Sequence, residues 1–241
     1  MIDEAFLKEY TARTGGGLLN VTREYLQHLF LTNFYRQPNC EKFLFKGGTA
    51  LRLVFGSPRF SEDIDFTSLI NSKTYEEILG NVWESFEREG IKSKLVESKA
   101  TTGGHLAIVQ FSLFGEKITI RNEVSSREKE IKEGETFVIT SEIVPSYTVY
   151  LLPREKLVAE KTQALLIRNK PRDIFDLYFI LRKEELRKVL SVDKKQRKQI
   201  LDFLKKQNRA EINKELKILL PPDFWQVIKD LPTAIINQLA F

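Results

Sequence analysis

The sequence predicts an α/β protein, a sheet flanked by helices, followed from about residue 152 by a helical domain. Two stretches carry that prediction. After Gly90 apolar residues alternate with polar ones through three runs, 91–98, 105–114 and 117–125, the period of half-buried strands. From Pro153 the period lengthens to that of a helix, and PREKLVAEKTQALLIRN runs on without a breaker. With 42% hydrophobic and 29% charged residues, a chain of 241 can bury a core and keep a hydrated surface. The expected domains are 1–151 and 152–241.

The remaining elements follow in order. Residues 3–13 read as a short helix stopped by Gly15-Gly16-Gly17. Asn20 is placed to cap a second helix, with Val21, Tyr25, Leu29 and Phe34 on its apolar side, ended by Pro38 and Asn39. A strand over 42–46 enters Gly47-Gly48-Thr49, a helix covers 49–55, and a strand covers 63–67. Tyr75 to Arg88 sets Ile78, Val82, Trp83 and Phe86 at helical spacing. A later strand is expected over 142–151, and Pro145 marks it as an edge or a bulge. Pro171 opens a helix with the stripe Ile174, Leu177, Tyr178 and Leu181. Asp193 is positioned to cap KKQRKQILDFLKK.

Composition excludes several classes of function. No run of 18 apolar residues exists, so no membrane-spanning helix is expected. The opening MIDEAFLKEY is acidic and amphipathic, unlike a secretion signal. A single cysteine, Cys40, rules out an internal disulfide framework and fits a reducing cytoplasm. His28 and His105 lie far apart without cysteine neighbours, which argues against zinc. Charge is uneven: residues 151–241 hold 20 basic and 12 acidic side chains, a net of +8, whereas 1–150 hold 18 and 21, a net of −3. A basic C-terminal part suits an enzyme that handles a polyanion; a lysine-rich solvated surface is the plainer reading.

The chemistry concentrates in FLFKGGTALRLVFGSPRFSEDIDFT, Phe43 to Thr67. Residues two apart on a strand share a face, so Asp63 and Asp65 project together while Ile64 and Phe66 point inward. Two like charges side by side repel unless a cation sits between them, and hard oxygen ligands suit Mg²⁺ or Mn²⁺. At the other end, a strand running into Gly47-Gly48-Thr49 and a helix offers backbone N–H groups to phosphate. The motif G-x-x-x-x-G-K-[ST] is absent, so this is no P-loop.

Gly-Gly-Thr, about a dozen residues, then Asp-Ile-Asp-Phe, with Arg59 and Ser61 between, resembles the nucleotidyltransferase fold of polymerase-β-like enzymes. Within that fold it is most similar to the AbiEii/AbiGii abortive-infection toxins of type IV toxin–antitoxin systems. The run AEKTQALLIRNKPRDIFDLY is similar to that family's second motif block. The resemblance implies a mixed, twisted sheet and a third metal-binding carboxylate at Glu123, in the context NEVSSRE. A plainer reading of Glu123 pairs it with Arg121 or Arg127. Lys161 lies on the inward stripe Leu157, Lys161, Ala164, Leu165, Arg168, where a lysine is costly unless an anion meets it. A nucleotide triphosphate is one such anion and an internal Asp the plainer one; the family match implies the NTP and adds Arg172 to the nucleotide site. It makes Asp173 catalytic, positioning Lys161 or acting as a base; Asp176 also matches but reads as orienting Arg168 or Arg172. The implied activity is nucleotidyl transfer from an NTP to a macromolecular acceptor, with tRNA 3′ ends favoured and a separate antitoxin as partner. Nucleotidylation of a protein hydroxyl, or nucleotide and RNA binding without turnover, are the alternatives.

Overall fold

The structure is a computed structural model that describes residues 2–126 and 130–239. The chain divides into two compact units, one made of residues up to Val54 with Phe60–Leu152, the other of Phe55–Arg59 with the chain from Pro153.

Among the described residues the first unit holds a seven-stranded mixed sheet. Its strands are β1 (Phe43–Lys46), β2 (Ile64–Ser68), β3 (Lys92–Thr101), β4 (Gly104–Leu113), β5 (Glu116–Ser125), β6 (Glu135–Ile139) and β7 (Tyr147–Leu151), in the order β3-β4-β5-β2-β1-β7-β6. β2 is parallel to β5 and β1 to β7; all other neighbours are antiparallel. The helices are α1 (Glu4–Thr14), α2 (Leu18–Phe34), α3 (Gly47–Leu53) and α4 (Ser72–Arg88).

Alternation along the strands sorts the two faces. Phe43, Phe45 and Phe66 share one face, where Phe34 of α2 stacks on Phe66 at 4.7 Å between ring centroids. On the same side Phe86 of α4 meets Phe111 of β4 edge to face at 5.0 Å. Lys46, Asp65 and Glu123 therefore lie on the opposite face, since Lys46 faces Asp65 and Asp65 faces Glu123 across the ladders.

The second unit is helical: α5 (Arg154–Arg168), α6 (Pro171–Arg182), α7 (Glu184–Arg187), α8 (Lys194–Lys205), α9 (Arg209–Leu219), α10 (Trp225–Lys229) and α11 (Leu231–Leu239). Leu165, Phe175, Leu177, Ile200, Leu216 and Ile235 meet in its core. Asp193 caps α8, accepting from Gln196 N at 2.7 Å, while the Gln196 side chain answers the Asp193 N–H. No helix among the described residues is long and apolar enough to cross a membrane.

Three expectations need correction. Asn20 does not cap α2, which begins at Leu18 with extended Gly17 in the cap position; Asn20 lies a turn inside and accepts from Arg23. Pro145 marks no edge: it precedes β7, so its missing N–H removes no ladder bond, and β7 is paired on both sides. The edges are β3 and β6, and β6 was not foreseen. The helix expected over 49–55 begins at Gly47, so both glycines belong to its first turn.

Candidate active site

The site grows from the turn between β1 and α3. Gly47 has φ +83°, a conformation that L side chains rarely adopt, and a Cβ there would fall 2.0 Å from Asp65 Oδ2. Glycine is thus required twice, by the backbone and by the carboxylate lying over it. The sequence explained the glycines by the approach of a phosphate; the side chain that uses the space at Gly47 is Asp65.

Thr49 is fully buried, and its hydroxyl donates to the backbone carbonyl of Asp63, tying the turn to the entry of β2. Gly48 is buried beside it in the same first turn. Asp63 stands immediately before β2, while Ile64 and Phe66 are fully buried. Asp65 and Glu123 face one another on adjacent parallel strands, with Asn122 and Val124 turned to the helices.

In this arrangement the Glu123 carboxylate accepts from Arg121 Nε at 2.6 Å, both side chains half exposed. Arg127, the other cation considered for Glu123, lies outside the described residues. Among the described residues no three acidic, histidine or cysteine side chains are gathered closely enough to hold a metal ion. The chemistry of the donor set suits a hard divalent cation: two carboxylates share one sheet face in direct register, and a third stands two residues upstream of one of them. The pairing with Arg121 is solvent-exposed and therefore weak, so a divalent cation can compete for Glu123.

In the second unit Asp176 is fully buried and accepts from two cations. Arg59 Nε reaches Oδ1 at 2.9 Å and Lys161 Nζ reaches Oδ2 at 2.8 Å. Burial pushes the Asp176 carboxyl up, but the charges of Arg59 and Lys161 outweigh it and hold the group below its ordinary value. The lysine's partner is thus Asp176, one turn further along α6 than the Asp173 that the sequence pointed to. Asp173, also buried, accepts instead from Arg168 at 2.8 Å, and its Oδ2 has no hydrogen-bond partner among the described residues. Arg172, in the first turn of α6, is half-buried. Sequence reasoning quoted Arg59 but gave it no role. Its partner is 117 residues away, and no local pattern announces such a pair.

Solved structures share this fold. One from Helicobacter pylori, JHP933, is 23% identical with a TM-score of 0.58, over 93% of this chain and 95% of that one. The nucleotidyltransferase toxin MenT4 (Rv2826c) of Mycobacterium tuberculosis H37Rv is 16% identical with a TM-score of 0.67, over 100% of this chain and 90% of that one. No curated protein matches the chain. The family model of the nucleotidyl transferase AbiEii toxin of type IV toxin–antitoxin systems matches residues 29–236, which span both motif blocks. The chain belongs to the AbiEii family of nucleotidyltransferase toxins.

Proposed function

We propose that this nucleotidyltransferase moves a nucleoside monophosphate from an NTP to the 3′ end of tRNA, and that a separate antitoxin protein restrains it. The observation that carries the reading is the direct register of Asp65 with Glu123 beside a Gly47 that makes room for the Asp65 carboxylate. An acceptor hydroxyl oxygen bonds to the α-phosphorus, the bond from that phosphorus to the β-bridging oxygen breaks, and pyrophosphate leaves with the electron pair. The hydroxyl proton passes to a carboxylate, the role we keep for Asp173. Asp63, Asp65 and Glu123 would hold Mg²⁺ or Mn²⁺, which would supply Lewis acidity toward the phosphate and the attacking oxygen. The chain's own contribution there is to aim the carboxylates, through the sheet register and the Thr49 tie.

We assign the charge of the triphosphate to Lys161, with Arg172 of α6 and the N–H groups of the Gly47-Gly48-Thr49 turn as further phosphate donors. Among the described residues Lys161 has one carboxylate partner, Asp176, which also accepts from Arg59; a second anion at the lysine would add to that compensation. The +8 balance of residues 151–241 supports a polyanionic acceptor.

The test incubates the protein with each α-labelled NTP, Mg²⁺ and unfractionated cell lysate. Label at tRNA 3′ ends is the expected result. Label on protein would replace the RNA acceptor by a protein hydroxyl, and no label from any NTP would reduce the chain to a binding module.

A further inference from the structure

We infer that the acceptor RNA lies along the outer face of β5, β4 and β3, held by Lys92, Lys94 and Lys117; this rests on the RNA reading above. The face is defined by register. Glu123 sits opposite Leu106, and Leu106 opposite Lys99, so one transverse row runs Lys46, Asp65, Glu123, Leu106, Lys99 across five strands. Successive rows on β5, β4 and β3 are then Arg121, Ile108 and Glu97; Thr119, Gln110 and Lys94; Lys117, Ser112 and Lys92. The opposite face of these strands is covered, with Val109, Phe111, Ile118 and Ile120 all buried.

On the outer face Lys117, Thr119, Arg121 and Glu123 of β5 are exposed, as are Ser112 of β4 and Lys92, Lys94 and Lys99 of β3. Five cations thus share this face with Glu97 and Glu123. Lys99 pairs with Glu97 and Arg121 with Glu123. Among the described residues Lys92, Lys94 and Lys117 have no carboxylate at ion-pair distance.

Lys92 and Lys117 flank Ser112, two strand spacings or about 10 Å apart. Like charges so close stabilise nothing in the fold. Lysines on an edge strand can serve to keep other strands from pairing, which covers Lys92 and Lys94. That reading fails for Lys117 and Arg121, because β5 is an interior strand.

Polyanion binding accounts for all of them. The lysine rows begin two residues beyond Arg121 and end three rows from Glu123, about 20 Å along the strands. A strand whose 3′ end reaches Asp65 and Glu123 can lay its upstream phosphates on the lysines, with Thr119, Gln110 and Ser112 offering hydrogen bonds between them.

The charge sum of residues 1–150, near neutral, hides this surface, because the acidic residues that balance it lie elsewhere.

The experiment measures binding of unfractionated tRNA over a series of salt concentrations, for the parent and for the triple variant Lys92→Gln, Lys94→Gln, Lys117→Gln. A control of equal charge change carries Lys8→Gln, Lys73→Gln and Arg88→Gln on α1 and α4. The first triple should weaken tRNA binding roughly tenfold or more and lower the salt slope by about 2, as three lost phosphate contacts require. The control should do much less, and NTP affinity measured without RNA should be unchanged in both. Parent-like tRNA affinity in the first triple, or equal losses in both triples, overturns this surface while the RNA reading stands. A parent that shows no salt-dependent tRNA binding removes the RNA reading and this inference together.

Discussion

Thr49 shows how a nucleotide-binding motif can be occupied by folding. The sequence offers this turn's backbone N–H groups to phosphate; the Thr49 side chain is fully buried and donates to the Asp63 carbonyl. Thr49→Ser should therefore leave activity near the parent value. Thr49→Val, of the same shape, loses the tie and should lower kcat with little change in NTP affinity; a large rise in NTP Kd instead would mean a direct phosphate contact. Lys161 and Asp176 allow a second separation. Asp176→Asn removes the buried carboxylate to which Arg59 and Lys161 both donate and should destabilise by about 3–5 kcal/mol. Lys161→Met keeps the Arg59–Asp176 pair, so melting temperature should fall little. Single-turnover transfer should fall roughly 10²–10³-fold if Lys161 meets the triphosphate. A normal rate with a large melting shift would make Lys161 structural. Strand alternation made the burial of Ile64 and Phe66, and the opposite face of Asp65, legible. The choice of Asp176 over Asp173 was not, because it depends on how α6 packs on α5, and both aspartates sit near the same helical stripe.

At the scale of elements, period and punctuation were enough for most of the fold. The three strands after Gly90, the Tyr75–Arg88 helix and the Asp193 cap all form where residue spacing put them, within a few positions. β6 escaped because ETFVI follows the charged KEIKEG, and Pro145, which lies between it and β7, reads in sequence as a mark within one strand over 142–151. It is defined by its partner β7, a long-range pairing that local pattern does not contain. α2 also resists pattern reading, since polar Gln27 and His28 are buried along with its apolar side. His28 Nδ1 lies 2.8 Å from the Tyr147 hydroxyl, linking α2 to β7. Burial, with the Arg52 charge adding to it, lowers the His28 pKa to about 3. The unfolded chain, near 6.5 at this group, then binds more proton than the folded one between about 6.5 and 3. Stability should fall as pH falls through that window, by up to about 1.4 kcal/mol per pH unit from this group, and be flat in it above. Urea unfolding across pH should show the slope in the parent and a shallower one in His28→Gln; equal slopes would exclude His28 as its source.

For the molecule as a whole, family membership and the sheet's two faces divide the work of explanation. Motif order alone was enough to point to a nucleotidyltransferase toxin, and the family model now shows it. Charge was legible only as a sum. Register is what gathers carboxylates and lysines on one sheet face, and no count by sequence segment can display that. The central claim is that the paired strand-borne carboxylates act through a divalent cation. Its most direct measurement is single-turnover transfer from an α-labelled NTP to unfractionated tRNA, for the parent, Asp63→Asn and Asp65→Asn, each with Mg²⁺ and with excess EDTA. Melting temperatures are recorded alongside. The account predicts labelled tRNA from the parent with Mg²⁺ alone, and loss of transfer in EDTA and in both variants. Both variants should stay folded, with melting temperatures near the parent's, so that loss of transfer is not loss of structure. Full transfer in EDTA, or by either folded variant, would contradict it.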